Sequence, residues 1–166
     1  MTAITAASSF AIGEAEGTSI WHMGALMTFK ARGEDTGGQF WLAEQTSEQG
    51  YASPLHQHSR EDELFVVLDG QLTVRVADDA YEVSPGGVAF LPRQRPHTFR
   101  VDSPVAKFLV FSTPAGFENW FIETGIPAQS LTVPPLADAP PDEAAIGALI
   151  SSLASYGVSL LGPPPV

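Results

Sequence analysis

From Ser19 to about Phe111 the chain is a succession of short β-prone runs cut by turn signals, with no helical pattern between them. The runs lie at 20–30, 39–46, 53–58, 62–68, 71–77, 80–83, 87–91, 96–101 and 105–112. Many short strands at this spacing, without crossover helices, restrict the fold to a β-sandwich or barrel. In "QLTVRVA", Leu72, Val74 and Val76 alternate with Gln71, Thr73 and Arg75, the period of a half-buried antiparallel strand. Asp69-Gly70 in "LDGQ" predicts a tight hairpin between its flanking runs, and "ADDA" and "SPGG" predict further turns.

The two ends differ from this centre. Residues 1–18 show no period and read as an N-terminal arm, residues 19–113 as the β domain, and residues 114–166 as a C-terminal helical extension packing on it. In "STPAGFENWFIETG", Thr113-Pro114 reads as a helix start and Gly125 as a stop. Phe117, Trp120 and Phe121 share one face of that segment, as the glue that docks a helix on the barrel. "VPPLADAPP" reads as a stiff linker. "DEAAIGALISSLASYG" predicts an amphipathic helix with Asp142 at its start and Ile146, Leu149, Ile150 and Leu153 inward; the "GPPPV" end is placed on the surface.

Charge and composition narrow the function. With 19 Asp and Glu against 8 Lys and Arg, the chain repels nucleic-acid phosphates and anionic membranes, so neither is expected as a partner. The locally basic "PRQRPHTFR", with Arg93, Arg95 and Arg100, reads as a solvated hairpin. No apolar run approaches the ~20 residues that span a bilayer. "MTAITAASSFAIGE" lacks the basic start and apolar core of a secretory signal, and a cytoplasmic location is expected. There are no cysteines, so any metal must be held by His, Asp or Glu.

Two of the four histidines stand one residue apart in "GYASPLHQHSREDELFVVLDG". A strand sends residues i and i+2 to the same side, so His56 and His58 project together and Gln57 points away. Glu63 opens the next run on the face it shares with Phe65 and Val67, opposite Leu64, Val66 and Leu68, and can join them across a short bend. Glu61 and Asp62 are assigned to the connecting loop as solvated charges. His97 supplies a third imidazole, on the strand face of Phe99 and Val101. Three neutral imidazoles and a carboxylate suit Fe, Mn, Co, Ni, Cu or Zn, and an ion accepting six ligands keeps two positions open for chemistry. His22, beside Trp21, is read as a core or supporting group rather than a ligand.

These residues resemble the cupin family. Gly50, His56, His58, Glu63 and Gly70 fit the first cupin motif, G-x5-H-x-H-x4-E-x6-G, at every position. Gly86, Pro92 and His97 fit the second, G-x5-P-x-G-x2-H-x3-N, which this chain leaves at Gln94 and Val101. The resemblance implies an all-β fold, a single cupin β-barrel (double-stranded β-helix or jelly roll) with a short C-terminal helical extension. It implies one divalent metal held by His56, His58, Glu63 and His97 at the barrel mouth, and a homodimer formed through the N-terminal strands. One motif pair marks a monocupin. "EDTGGQFWLAEQ", "TPAGFENWFIETGIPA" and "YGVSLLGPPP" are similar to quercetinase-like monocupins. Members of that group are dioxygenases that open the heterocyclic ring of flavonols with O₂ and release carbon monoxide. By that likeness the substrate is a neutral aromatic enol, and Glu63 is both ligand and catalytic base. The surrounding Phe40, Trp41, Phe65, Phe90, Phe99, Phe108 and Phe111 and the scarcity of basic residues suit an apolar substrate better than a sugar phosphate. The alternatives are another metal-dependent enzyme (isomerase, lyase or different dioxygenase) with the same ligands, or a non-enzymatic small-molecule-binding cupin.

Overall fold

Sheet pairing is what brings the separated histidine segments together. The structure is a computed structural model in which residues 7–135 and 142–164 are described. The strands are β1 (Thr18–His22), β2 (Ala25–Ala31), β3 (Trp41–Glu48), β4 (Leu55–His58), β5 (Asp62–Asp69) and β6 (Leu72–Val76). They continue as β7 (Asp79–Val83), β8 (Val88–Leu91), β9 (His97–Val101), β10 (Val105–Thr113), β11 (Ile126–Pro127) and β12 (Val158–Gly162). Three helices join them: α1 (Gly33–Thr36), α2 (Glu118–Thr124) and α3 (Glu143–Ser155). A seven-stranded sheet in the order β11-β1-β2-β3-β10-β5-β8 faces a five-stranded sheet in the order β12-β4-β9-β6-β7. This is the barrel with a C-terminal helix that the resemblance implies. No helix among the described residues is long and apolar enough to cross a membrane.

The core follows the two-residue period. Leu72, Val74 and Val76 are buried while Arg75 is exposed, and Phe65 and Val67 are buried beside Glu63. Trp41, Phe65, Phe99 and Phe108 interleave between the sheets, with Phe65 5.3 Å from Phe99 and 5.6 Å from Phe108 in edge-to-face and tilted contacts.

Four local expectations are corrected. The run 20–30 is two strands, because Met23 (φ 48°) and Gly24 (φ 90°) turn the chain into a β1–β2 hairpin that carries no Asn-Gly or Asp-Gly signal. Asp69-Gly70 does not join a hairpin: β5 pairs with β10 and β8, whereas β6 pairs with β7 and β9. The dipeptide is the corner at which the chain changes sheets. Gly70 takes φ 79°, and a Cβ there would collide with the Val105 carbonyl and the Ser103 hydroxyl, so only glycine fits. On α3, Leu153 is buried and Leu149 half-buried, but Ile146 and Ile150 are exposed, so one edge of the expected stripe packs. The fourth is β12. Residues 158–162 pair with β4, placing Val158 opposite His58 and Leu160 opposite His56.

The C-terminal elements are anchored by polar contacts. α3 starts where Asp142 accepts a hydrogen bond from the Ala145 amide at 2.7 Å. Trp120 of α2 donates from its ring nitrogen to the Ser152 hydroxyl of α3 at 2.9 Å. Buried Glu118 accepts from the Gly33 amide at 2.8 Å and from the Gly116 amide, tying α2 to α1. α2 begins at Glu118 rather than at Pro114 because Thr113 is still paired with Asp62 in the sheet. Most of the "VPPLADAPP" linker, the first six residues of the arm and the last two of the "GPPPV" end lie outside the described residues.

Candidate metal centre

β4, β5 and β9 deliver four donors to one point. The register sets His56 opposite His97, and the period of two carries His58 to the same side as His56. His56 and His97 ring centres are 4.4 Å apart, His56 and His58 5.1 Å, and His58 and His97 5.4 Å. One ligand atom from each of His56, His58, Glu63 and His97 lies within 4.8 Å of the others. His58, Glu63 and His97 are buried, and His56 is half-buried.

Hydrogen bonds fix which ring nitrogen faces the centre. His56 Nδ1 donates to the Pro54 carbonyl at 2.8 Å, and His97 Nδ1 to the Arg95 carbonyl at 2.9 Å. A carbonyl can only accept, so both rings carry a proton on Nδ1 and, when neutral, a bare lone pair on Nε2. His58 Nδ1 donates to Glu61 Oε2 at 3.2 Å and is fixed the same way. His97 Nε2 is 3.2 Å, and His58 Nε2 3.8 Å, from Glu63 Oε2. Both nitrogens are sealed from solvent with no hydrogen-bond partner among the described residues. Buried lone pairs facing a carboxylate are unfavourable until a cation stands among them, and each unsatisfied buried acceptor costs about 1–3 kcal/mol. The donor set therefore fits a transition-metal ion.

The carboxylates and burial set the charge of each donor. Burial alone would raise the Glu63 carboxyl, but the His58, His97 and His56 imidazoles around it pull it down to about 2. Glu63 is ionised throughout the working range. His56 is pushed down to about 4 by burial and by the charge of His97, so it is neutral as a ligand must be. Burial lowers His58 as well, but the Glu63 and Glu61 carboxylates outweigh it and leave the ring above its ordinary value.

Glu61 is the residue that the sequence reading misplaced. It is 3% exposed rather than solvated, because the β4–β5 turn folds it back onto His58. The signal was its position three residues after His58 in the turn, where a carboxylate can reach Nδ1. Glu61→Ala leaves a buried N–H unpaired and is expected to weaken metal affinity by about 10- to 100-fold, as read by competition with a chelator. Asp62 begins β5 and holds Arg93 through Nη2–Oδ2 at 2.7 Å and Nε–Oδ1 at 3.1 Å. That clamp fixes the turn leading to His97. Its neighbour Gln94 takes φ 61°, the conformation for which the motif's glycine is suited, and donates its amide to the His58 carbonyl at 2.7 Å.

The cluster opens on a cavity of about 220 Å³. His56 and Glu63 form part of its wall, and Phe65, Phe99, Phe117, Trp120 and Phe121 supply aromatic surface. Leu149 and Leu153 of α3 and Val158 and Leu160 of β12 close it, so the C-terminal segment builds one side of the site. Of the seven aromatics expected around the metal, Phe65 and Phe99 line this cavity. Trp41 and Phe108 are fully buried core, Phe40 and Phe111 pack on each other at 5.2 Å, and Phe90 is exposed. The α2 aromatics both dock the helix and line the cavity; Phe117 stands edge-on to His58 at 4.7 Å. No Lys or Arg is among the cavity's lining residues. A larger open groove of about 590 Å³, lined by residues of β7 and β8, contains none of the four cluster residues.

Comparison with known proteins matches this geometry. Residues 43–112 match the family model described as "Cupin domain". Quercetin 2,3-dioxygenase from Bacillus subtilis (strain 168) is 28% identical over 112 residues, which are 68% of this chain and 33% of that protein. The chain thus spans about a third of the length of the curated relative it matches. KdgF from Halomonas sp. superposes with a TM-score of 0.59 at 19% identity, covering 68% of this chain and 98% of that one. An RmlC-like cupin from Shewanella frigidimarina NCIMB 400 superposes with a TM-score of 0.57 at 17% identity, covering 68% and 96%. Barrel, motifs and matches together show a cupin fold with a cupin-domain match over residues 43–112, in a chain that resembles quercetinase-like proteins.

Proposed function

We propose that the chain is a metal-dependent dioxygenase of the quercetinase-like type, acting on a neutral aromatic enol such as a flavonol. The observation that carries this is the His56, His58, Glu63 and His97 cluster opening on a largely apolar, aromatic cavity without Lys or Arg. Such a wall suits a flat, uncharged molecule and offers nothing to neutralise a phosphate. That weighs against isomerase chemistry on sugar phosphates, although the same ligand set serves isomerases and lyases.

A divalent ion of Fe, Mn, Co, Ni, Cu or Zn held by the four residues would supply a Lewis-acidic centre with open positions for an enolic oxygen and O₂. Phe117, Phe65 and Phe99 hold the substrate ring against that centre and keep water out. Glu63 is the only carboxylate lining the cavity among the described residues, so it is the acceptor for the enol proton. Held below the usual carboxylate range by the surrounding imidazoles, it is ionised and able to accept that proton, and an enol oxygen bound at the ion would be acidified enough to give it up. The resemblance also carries a homodimer and a cytoplasmic location as parts of this proposal, and size-exclusion chromatography with light scattering tests the first.

The reaction is tested by incubating the protein with quercetin under air. Consumption of one O₂ and release of one carbon monoxide per flavonol consumed is the expected result. Flavonol loss that proceeds equally under nitrogen would refute the dioxygenase assignment.

A further inference from the structure

His22 lies on another wall of the same cavity, on β1, outside the cluster. It is 4% exposed, and its ring meets Trp120 and Phe121 edge-on at 4.9 and 5.1 Å. Its Nε2 is 3.0 Å from the Thr124 hydroxyl oxygen. That hydroxyl already donates to the Trp120 carbonyl at 2.6 Å, one turn back along α2. The carbonyl can only accept, so Thr124 spends its one proton there and must accept from His22. His22 therefore carries its proton on Nε2. Its Nδ1 keeps a bare lone pair, with no hydrogen-bond partner among the described residues. Unlike His58 and His97 Nε2, this nitrogen is not fully sealed, and the ring to which it belongs lines the cavity. Burial pushes this imidazole down to about 4, which keeps it neutral and an acceptor. The cavity thus has, outside the cluster, a histidine acceptor set among aromatic side chains.

We propose, on the basis of the enol-dioxygenase reading above, that His22 is a specificity-determining residue whose Nδ1 accepts a hydrogen bond from a phenolic hydroxyl of the substrate, remote from the enol that faces the cluster. An apolar wall discriminates weakly between an arene and its hydroxylated analogue. A buried acceptor without a partner discriminates strongly, because the analogue lacking the hydroxyl leaves it unpaired. Thr124 is the positioning residue that holds the tautomer.

The test is equilibrium binding under nitrogen of two probes. Quercetin carries phenolic hydroxyls on its outer rings, and 3-hydroxyflavone keeps the enol and lacks them. His22→Phe is expected to weaken quercetin binding about tenfold, the worth of one buried neutral hydrogen bond, and to change 3-hydroxyflavone binding less than threefold. Retained 3-hydroxyflavone binding shows that the cavity is intact. Equal losses for both probes, or no loss for either, would overturn the role of His22. Should His22→Phe not fold, Thr124→Val is the second variant. It removes the acceptor at nearly constant volume and is expected to reduce the preference for quercetin at least threefold, and an unchanged preference would overturn the proposal. Failure of both probes to bind the wild-type protein would refute the flavonol reading itself, a result distinct from unselective binding.

Discussion

His97→Ala is expected to abolish metal retention while leaving the barrel folded. His97 gives one of the four donors, and its Nε2 is the nitrogen nearest Glu63, at 3.2 Å. Its backbone pairs with Val76 in β6 and His56 in β4, and an alanine at the same place keeps both pairings. The change also removes one of the two sealed lone pairs, so the loss of packing is partly offset by the loss of an unsatisfied buried atom. The expected result is about one ion per wild-type chain after dialysis and less than about a tenth of that in the variant. The variant's thermal transition should remain cooperative. Equal metal content in the two proteins would remove His97 from the ligand set.

Glu63→Gln is expected to cost turnover far more than metal. The amide has the shape of the carboxylate and still offers an oxygen donor, but it cannot take up a proton. Turnover per bound ion should fall about 10²- to 10⁴-fold, the usual worth of a general base. Metal content should fall much less. Because Glu63 lies 3.2 Å from His97 Nε2, the amide can also donate to that nitrogen and compete with the ion, so activity must be normalised to metal. Wild-type turnover per ion in this variant would show that Glu63 is not the proton acceptor.

The site was largely legible because a β-strand's period of two converts spacing directly into side. His56 with His58, and Glu63 with Phe65 and Val67, fall on the faces that their spacing dictates. Their convergence with His97 depended on the two motifs, since no local pattern says that β4 and β9 pair. What stayed illegible arises from pairing between distant segments. Asp69-Gly70 has the composition of a hairpin, yet the strands that it joins find partners in different sheets. Glu61 looks like a solvated charge until the turn buries it on His58. β12 follows a helix and precedes prolines, and it is a strand because the edge of β4 is there to receive it. Residues of α2, α3 and β12 complete the cavity, so its size and the place of His22 in it were beyond any window of sequence.

The measurement that bears most directly on the central claim is oxygen uptake by metal-stripped protein reloaded separately with Fe, Mn, Co, Ni and Cu, with a flavonol as substrate and His97→Ala as control. The account predicts uptake with at least one of these ions, none in the stripped protein and none in His97→Ala. No uptake with any ion, despite confirmed loading at one ion per chain, would contradict the dioxygenase reading and leave a metal-binding barrel with a different substrate.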